Sequence, residues 1–306
     1  MYKRQVEVVR RAAVENPWFL PQEIIRAVKV IRCEMLERQR LEAWAGAYPP
    51  VRTPKRVLVV MAGNIPLVGF FDLLCVLASG HACRVKPSSK DTVLIGYVVD
   101  LLRTIDPAIP LRMAEQGERP DAVIATGSDN ANRYFRMLFG GIPSLLRGSR
   151  QSVAVLSGRE TAAELSGLEE DIFSYSGLGC RNVSLLFLPR GYLPELRCTA
   201  LNEKYRRNYL RERALLRMRR MPFVDLDGAV LCEDRSFPAA LSCIHYTFYD
   251  SLADVEAWLA AHDDRLQCVV SQCVRHSRRV AFGRAQHPGL TDYADDVDTM
   301  RFLGTI

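Results

Sequence analysis

Three short apolar runs, VLVVMAG, HACRVKP and DAVIATG, are each followed by a helical pattern, and this alternation constrains the fold most. β-Branched runs bounded by glycine or proline suit strands buried on both faces of a parallel sheet. IPLVGFFDLLCVLAS, TVLIGYVVDLLRTI and SDNANRYFRMLF read as the intervening helices. Strand, turn, helix, strand predicts βαβ units and an α/β fold. Ligands of such sheets bind at the carboxyl ends of strands, where MAGN, VKPSS and ATGS stand. The alternation continues through SVAVLSG, NVSLLFLP, GAVLC, CIHYTFY and LQCVVSQC as strands, with helices at ETAAELSGLEEDIFSYSG and at SLADVEAWLAAH, capped by Ser251. Residues 1–45 read as helices, with Pro21 suited to a first turn. A chain of 306 residues is long enough for one large or two modest domains.

Composition narrows the class. With 48% apolar and 25% charged residues the chain is ordinary for a globular protein. No apolar stretch reaches the roughly 18–20 residues a membrane span needs. The first residues, MYKRQVEVVRRAAVENPWF, lack an apolar secretion core, so a cytoplasmic location is expected. Nine cysteines are scattered without a CxxC pair or zinc-like spacing, which predicts reduced thiols and no metal. The formal charge of +6 is partly concentrated in NEKYRRNYLRERALLRMRRM, with eight basic residues from Lys204 to Arg220. That tract reads as a solvated helix face or as a docking surface for a phosphorylated ligand or an acidic protein. No nucleic-acid module surrounds it, so no nucleic-acid partner is expected.

Four sites follow strands or glycine turns. Asn64 in MAGNIPLVGF reads as a turn asparagine or as an amide aimed into a strand-end cleft. Lys86 in RVKPSSKD ends a strand, and Pro87, Ser88 and Ser89 could open a helix whose N–H groups meet a ribose or phosphate. Gly127 and Ser128 in ATGSDNANRYF suit a helix entry or a contact to a dinucleotide, although no GxGxxG is present. Cys180 in DIFSYSGLGCRNVSLLF stands on a turn with Gly177 and Gly179, unlike the cysteines inside apolar runs. A thiolate there attacks thioesters and carbonyls, and Arg181 beside it favours the charged form.

Taken in order, ENPWF, AGNIPLVGFFDLLCVLASG, KPSSKD, IATGSDNANRYF, SVAVLSG, DIFSYSGLGCRNVS, LQCVVS and DYADDVDTMRFL resemble the aldehyde dehydrogenase superfamily over nearly the whole chain. Its LuxC-type branch, the long-chain acyl-CoA reductases, is the most similar. The resemblance implies two lobes, each with a mainly parallel sheet and flanking helices, and an active site between them. It places a cofactor lobe at 1–158, rejoined by 276–306, and a catalytic lobe at 159–275. It implies reduction of a fatty acyl thioester to an aldehyde by NADPH, with NADH as the other cofactor choice. Cys180 would carry the acyl group, and Asn64 with the Cys180 N–H would hold the oxyanion, a donor typically worth ~3–4 kcal/mol. Lys86 and Ser88 would meet the adenosine ribose or its phosphate, and Gly127 and Ser128 the cofactor beside them. Acyl-CoA or an acyl carrier protein is the implied donor, and a homo-oligomer or acyl-transfer complex the implied assembly. The other reading is a non-catalytic or acyl-transferring partner in a fatty-acid or pigment assembly complex. Aldehyde oxidisers of the superfamily carry a water-activating glutamate in an ELGG strand, and the matching LLRGSR has none. The glycine of the family's DYADGVD is Asp296 here, a tolerable exchange if that position needs a positive φ.

Overall fold

The computed structural model describes residues 2–306. They divide into two compact units, one running to Ser149 and rejoined by Gly289–Ile306, the other Arg150–Pro288.

The first unit opens with helices α1 (Tyr2–Glu15), α2 (Pro21–Val30) and α3 (Arg38–Gly46). Pro21 occupies the first turn of α2, where its missing N–H has no partner to lose. The unit continues β1 (Arg56–Val60), α4 (Phe70–Ala78), β2 (Ala82–Lys86), α5 (Thr92–Ile105), β3 (Leu111–Met113), β4 (Ala122–Thr126), α6 (Asp129–Phe139) and β5 (Ser144–Arg147). The strands form one parallel sheet in the order β3-β2-β1-β4-β5. Val57, Val59, Val85 and Ile124 are fully buried, as expected for strands covered on both faces.

The second unit runs β6 (Gln151–Val155), α7 (Ala162–Phe173), β7 (Val183–Pro189), α8 (Glu203–Met218), β8 (Val224–Asp225), β9 (Val230–Glu233), β10 (Cys243–Tyr249), α9 (Leu252–Ala261), β11 (Leu266–Ser271) and β12 (Arg279–Val280). Its seven strands lie in the order β12-β11-β6-β7-β10-β9-β8, parallel except at β8. Helix α10 (Thr299–Gly304) then closes the first unit, where the His81 ring meets the Leu303 carbonyl at 2.9 Å.

The expected boundary near Gly158 moves to 149/150, and the expected return near 276 moves to 289. The reason is pairing. SVAVLSG forms β6, which is hydrogen-bonded between β11 and β7 and therefore belongs to the second sheet. Asp295 and Asp296 take φ values of 60° and 58°, so the position matching the glycine of DYADGVD does adopt the left-handed region. The strands β3, β5, β8 and β12 have two to four residues each, too short for a periodicity to mark them.

Candidate active site

Three of the four predicted sites share one edge of the first sheet. Asn64 follows β1, Lys86 and Ser88 follow β2, and Gly127 and Ser128 follow β4. Since β1 pairs in parallel with both neighbours, Val60 is level with Lys86 on one side and Ala125 on the other. The carboxyl ends of all three strands therefore open together, as α/β sheets require of a ligand edge. The loops after β1 and β2 touch closely: a Cβ on Gly63 would lie 2.6 Å from the Ser88 Cβ. Only glycine permits that approach.

Asp91 braces the Asn64 loop. Its carboxylate is 2% exposed, and Oδ2 accepts the Leu67 N–H at 2.8 Å. Leu67 stands at φ 57°, a left-handed conformation that costs a branched residue roughly 1–2 kcal/mol. The other Asp91 oxygen has no hydrogen-bond partner among the described residues. Burial pushes the carboxyl up to about 7, against the lowering effect of the Leu67 N–H. The chain from Pro87 to Ser89 does not open the helix, as the sequence suggested. It forms a separate turn, with Asp91 N–H donating to the Ser88 carbonyl at 3.0 Å, and α5 starts only at Thr92.

Lys86 and Lys90 are exposed, whereas Arg84 donates to Glu118 at 2.8 Å and is taken up by that pair. Arg84 is therefore no candidate for a cofactor phosphate. Ser128 caps α6, accepting the Ala131 N–H at 3.3 Å. Gly127 is dictated by its own helix, because a Cβ there would meet the Ala131 Cβ at 2.9 Å.

Cys180 belongs to the second unit and lies exposed on the turn between α7 and β7. Cys75, Cys83, Cys243 and Cys268 are buried, and burial raises the pKa of the Cys75 and Cys83 thiols. Cys33 is the other exposed cysteine among the described residues, but it sits in a turn of π-helix. The Cys180 turn is built differently. Tyr175, Ser176 and Gly177 are consecutively left-handed, at φ 53°, 55° and 66°. Two non-glycine residues thus carry the unusual backbone, buried just ahead of the thiol, while Gly179 is not among the positive-φ residues. Strain of this kind persists only where the surroundings over-determine it.

Asn182 supplies that constraint. Its Nδ2 donates to the carbonyls of Asp171, Ile172 and Ser174 at 2.9–3.1 Å, and its Oδ1 accepts the Gly179 N–H at 2.8 Å. The Ser152 hydroxyl, fully buried on β6, donates to the Cys180 carbonyl at 2.8 Å. Behind the turn, Asp171 accepts the N–H groups of Gly283 and Ala285 at 2.7 and 2.9 Å. Burial nonetheless pushes its carboxyl up to about 7. Arg181 reaches the Ala285 carbonyl at 3.4 Å.

The LLRGSR segment contributes a cation to the interior. Arg147, at the end of β5, is 3% exposed and pairs with Asp72 of α4 while donating to the Thr299 hydroxyl at 2.6 Å. Sequence reading missed Asp91, Asp171, Asn182 and Arg147 as organising residues. A signal existed only for Asp72, an ionisable residue inside the apolar FFDLLC. No group of His, Cys, Asp and Glu suited to hold a metal occurs among the described residues. None of their helices is long and apolar enough to cross a membrane.

This architecture, two mainly parallel sheets flanked by helices, is the aldehyde dehydrogenase fold. No family model and no curated protein sequence matches the chain. Solved structures do. An aldehyde dehydrogenase of Bacillus cereus in complex with NAD+ matches with a TM-score of 0.59 at 13% identity, over 88% of this chain and 68% of that one. An NAD-dependent benzaldehyde dehydrogenase of Corynebacterium glutamicum matches with a TM-score of 0.52 at 16% identity, over 86% and 75%. AldH of Staphylococcus aureus, in a substrate-bound state, matches with 0.52 at 18%, over 87% and 69%.

Proposed function

We propose that the chain is an oxidoreductase of the LuxC type, which reduces a fatty acyl thioester to the aldehyde with NADPH. The observation that carries this reading is the exposed Cys180 thiol on a strained, hydrogen-bonded turn within an aldehyde dehydrogenase fold. Arg147 adds to it. In the segment matching the oxidisers' glutamate, this chain has a buried, ion-paired arginine, which leaves no base there to activate water. An acyl-enzyme without such a base is spared hydrolysis and persists for reduction.

In this reading the Cys180 thiolate attacks the thioester carbonyl, and the bond to the departing thiol breaks as the new C–S bond forms. The departing group leaves as a thiolate and is protonated from solvent. Asn64 donates to the carbonyl oxygen as negative charge develops on it. Lys86 and Ser88 would hold the adenosine ribose and its phosphate, and the α6 N-terminus at Ser128 the pyrophosphate. The residues fit such a group: two exposed lysines, a helix N-terminus and glycine-tight loops converge on one sheet edge. When bound, the cofactor supplies hydride to the acyl carbon. Loss of Cys180 as leaving thiolate then frees the aldehyde and restores the nucleophile.

The test mixes purified protein with a long-chain acyl-CoA and NADPH or NADH and follows cofactor absorbance and aldehyde. Consumption of NADPH in step with aldehyde formation is expected. An acylated protein that binds neither cofactor favours the acyl-transferring reading instead.

A further inference from the structure

Helix α8 carries a charge excess that the fold does not use. Tyr205, Tyr209 and Leu216 are buried and fix one side of the helix to the sheet. The opposite side is solvent-facing, with Arg207, Arg211, Ala214 and Met218 at helical spacing along its centre. Of the eight basic residues, Arg207 pairs with Glu203 at 3.3 Å and Arg213 with Asp225 at 3.4 Å. Arg206, Arg211, Arg217, Arg219 and Arg220 carry no ion pair among the described residues. Among them Leu210 and Met218 stand 42% and 81% exposed. A ring of uncompensated arginines around adaptable apolar side chains is the complement of an acidic helical surface.

The position of this face gives it a purpose. Tyr205, in the first turn of α8, packs edge-on against Phe173, the last residue of α7, at 6.4 Å between ring centroids. The thiol turn begins at the next residue, Ser174, whose carbonyl is held by Asn182. The basic helix is thus seated on the element that launches Cys180.

We propose that α8 docks a small acidic protein carrying the acyl group as a thioester, and so delivers that group to Cys180. This rests on the acyl-thioester reading above. The carrier's C–S bond breaks as the Cys180 C–S bond forms, and the carrier leaves with a free thiol. A membrane surface suits the helix poorly, since its continuous apolar side is spent on the core and the outward apolar residues are separated by arginines. Single-stranded nucleic acid suits it poorly as well, because both tyrosines of the helix are buried and offer no stacking face.

The experiment uses the full chain and a charge-reversed variant, Arg206→Glu/Arg211→Glu/Arg217→Glu, whose folding is checked by circular dichroism and melting. Fluorescently labelled acyl carrier protein, without an acyl group, reports binding, and acyl-CoA and acyl carrier protein serve as alternative substrates. Wild type is expected to bind the carrier, weakening as salt rises, and the variant to bind about 30-fold less tightly. Its kcat/KM is expected to fall about tenfold or more for the carrier-bound substrate and less than about twofold for acyl-CoA. Equal affinity of both proteins for the carrier overturns the proposal, as does an equal fall on both substrates, which assigns the face to CoA phosphates. Binding to vesicles of phosphatidylcholine with one-third phosphatidylglycerol, without carrier binding, also overturns it. Arginine-dependent carrier binding without turnover of either substrate supports the docking face and counts against the reductase reading alone.

Discussion

The two turns that carry Asn64 and Cys180 are braced by the same kind of device and to very different degrees. Each contains left-handed non-glycine residues, Leu67 in one and Tyr175 with Ser176 in the other. Each leans on a buried polar side chain. The Cys180 turn is held by four hydrogen bonds to Asn182 and one from Ser152, with Asp171 fully engaged behind it. In the Asn64 loop Asp91 accepts the Leu67 N–H, and its second oxygen is buried without a hydrogen-bond partner among the described residues. The Cys180 turn is therefore held by a dense set of side-chain hydrogen bonds beside its buried carboxyl. The Asn64 loop leans on the buried Asp91 carboxyl, and burial pushes both this carboxyl and that of Asp171 up to about 7.

The largest expected effect separates chemistry from bracing. Cys180→Ala should lower turnover by about 10⁴-fold or more while the melting temperature stays within a degree or two. A large loss of stability would mean that the exposed thiol is part of the brace.

Stability itself should depend on pH through both carboxyls. Asp91 and Asp171 ordinarily titrate near 3.8 and in the fold near 7, so the folded chain retains protons that the unfolded chain has lost. Stability is then highest below about pH 4 as far as these groups go, and falls as pH rises to about 7, by at most about 4 kcal/mol per carboxyl. Denaturant melts from pH 4.5 to 8 measure this. A rise in stability across that range would contradict the raised pKa of both carboxyls.

Asn182→Ala strips three carbonyls and one N–H of their partner, at roughly 1–3 kcal/mol for each buried group left unpaired. A loss of about 3 kcal/mol or more is expected, with Cys180 labelled faster by a thiol reagent. The smallest effects discriminate best. Asp171→Asn puts an amide N–H against one of two backbone donors and should cost about 2 kcal/mol. Asp91→Asn keeps an acceptor for Leu67 and resembles the protonated acid, so near pH 5 it should cost less than about 0.5 kcal/mol and near pH 8 stabilise. Equal costs for the two variants would show that both turns are braced alike.

Much of this molecule was legible in the chain. The βαβ alternation and the ordered strand-end loops gave the two parallel sheets, because long buried strands and apolar helices write their period into the residues. Cys180 stood out by its flanking glycines and the adjacent Arg181. The bracing residues did not stand out. Asp91 and Asp171 act on backbone groups 24 and 112–114 residues away, and Asn182 on groups 3–11 residues away, contacts that no periodicity encodes. Arg147 was read only as the absence of a glutamate, and the fold shows it as an interior cation. The boundary near Gly158 missed because a strand's sheet is decided by its distant partners, here β7 and β11.

The central claim is that Cys180 carries an acyl group that hydride then removes. Intact-protein and peptide mass spectrometry after incubation with a long-chain acyl-CoA, first without and then with NADPH, tests it directly. The account predicts one acyl adduct on Cys180 that persists in buffer and disappears on adding NADPH, with one equivalent of aldehyde released. An adduct on another cysteine, or one that leaves as the free acid at the same rate with and without NADPH, would contradict it.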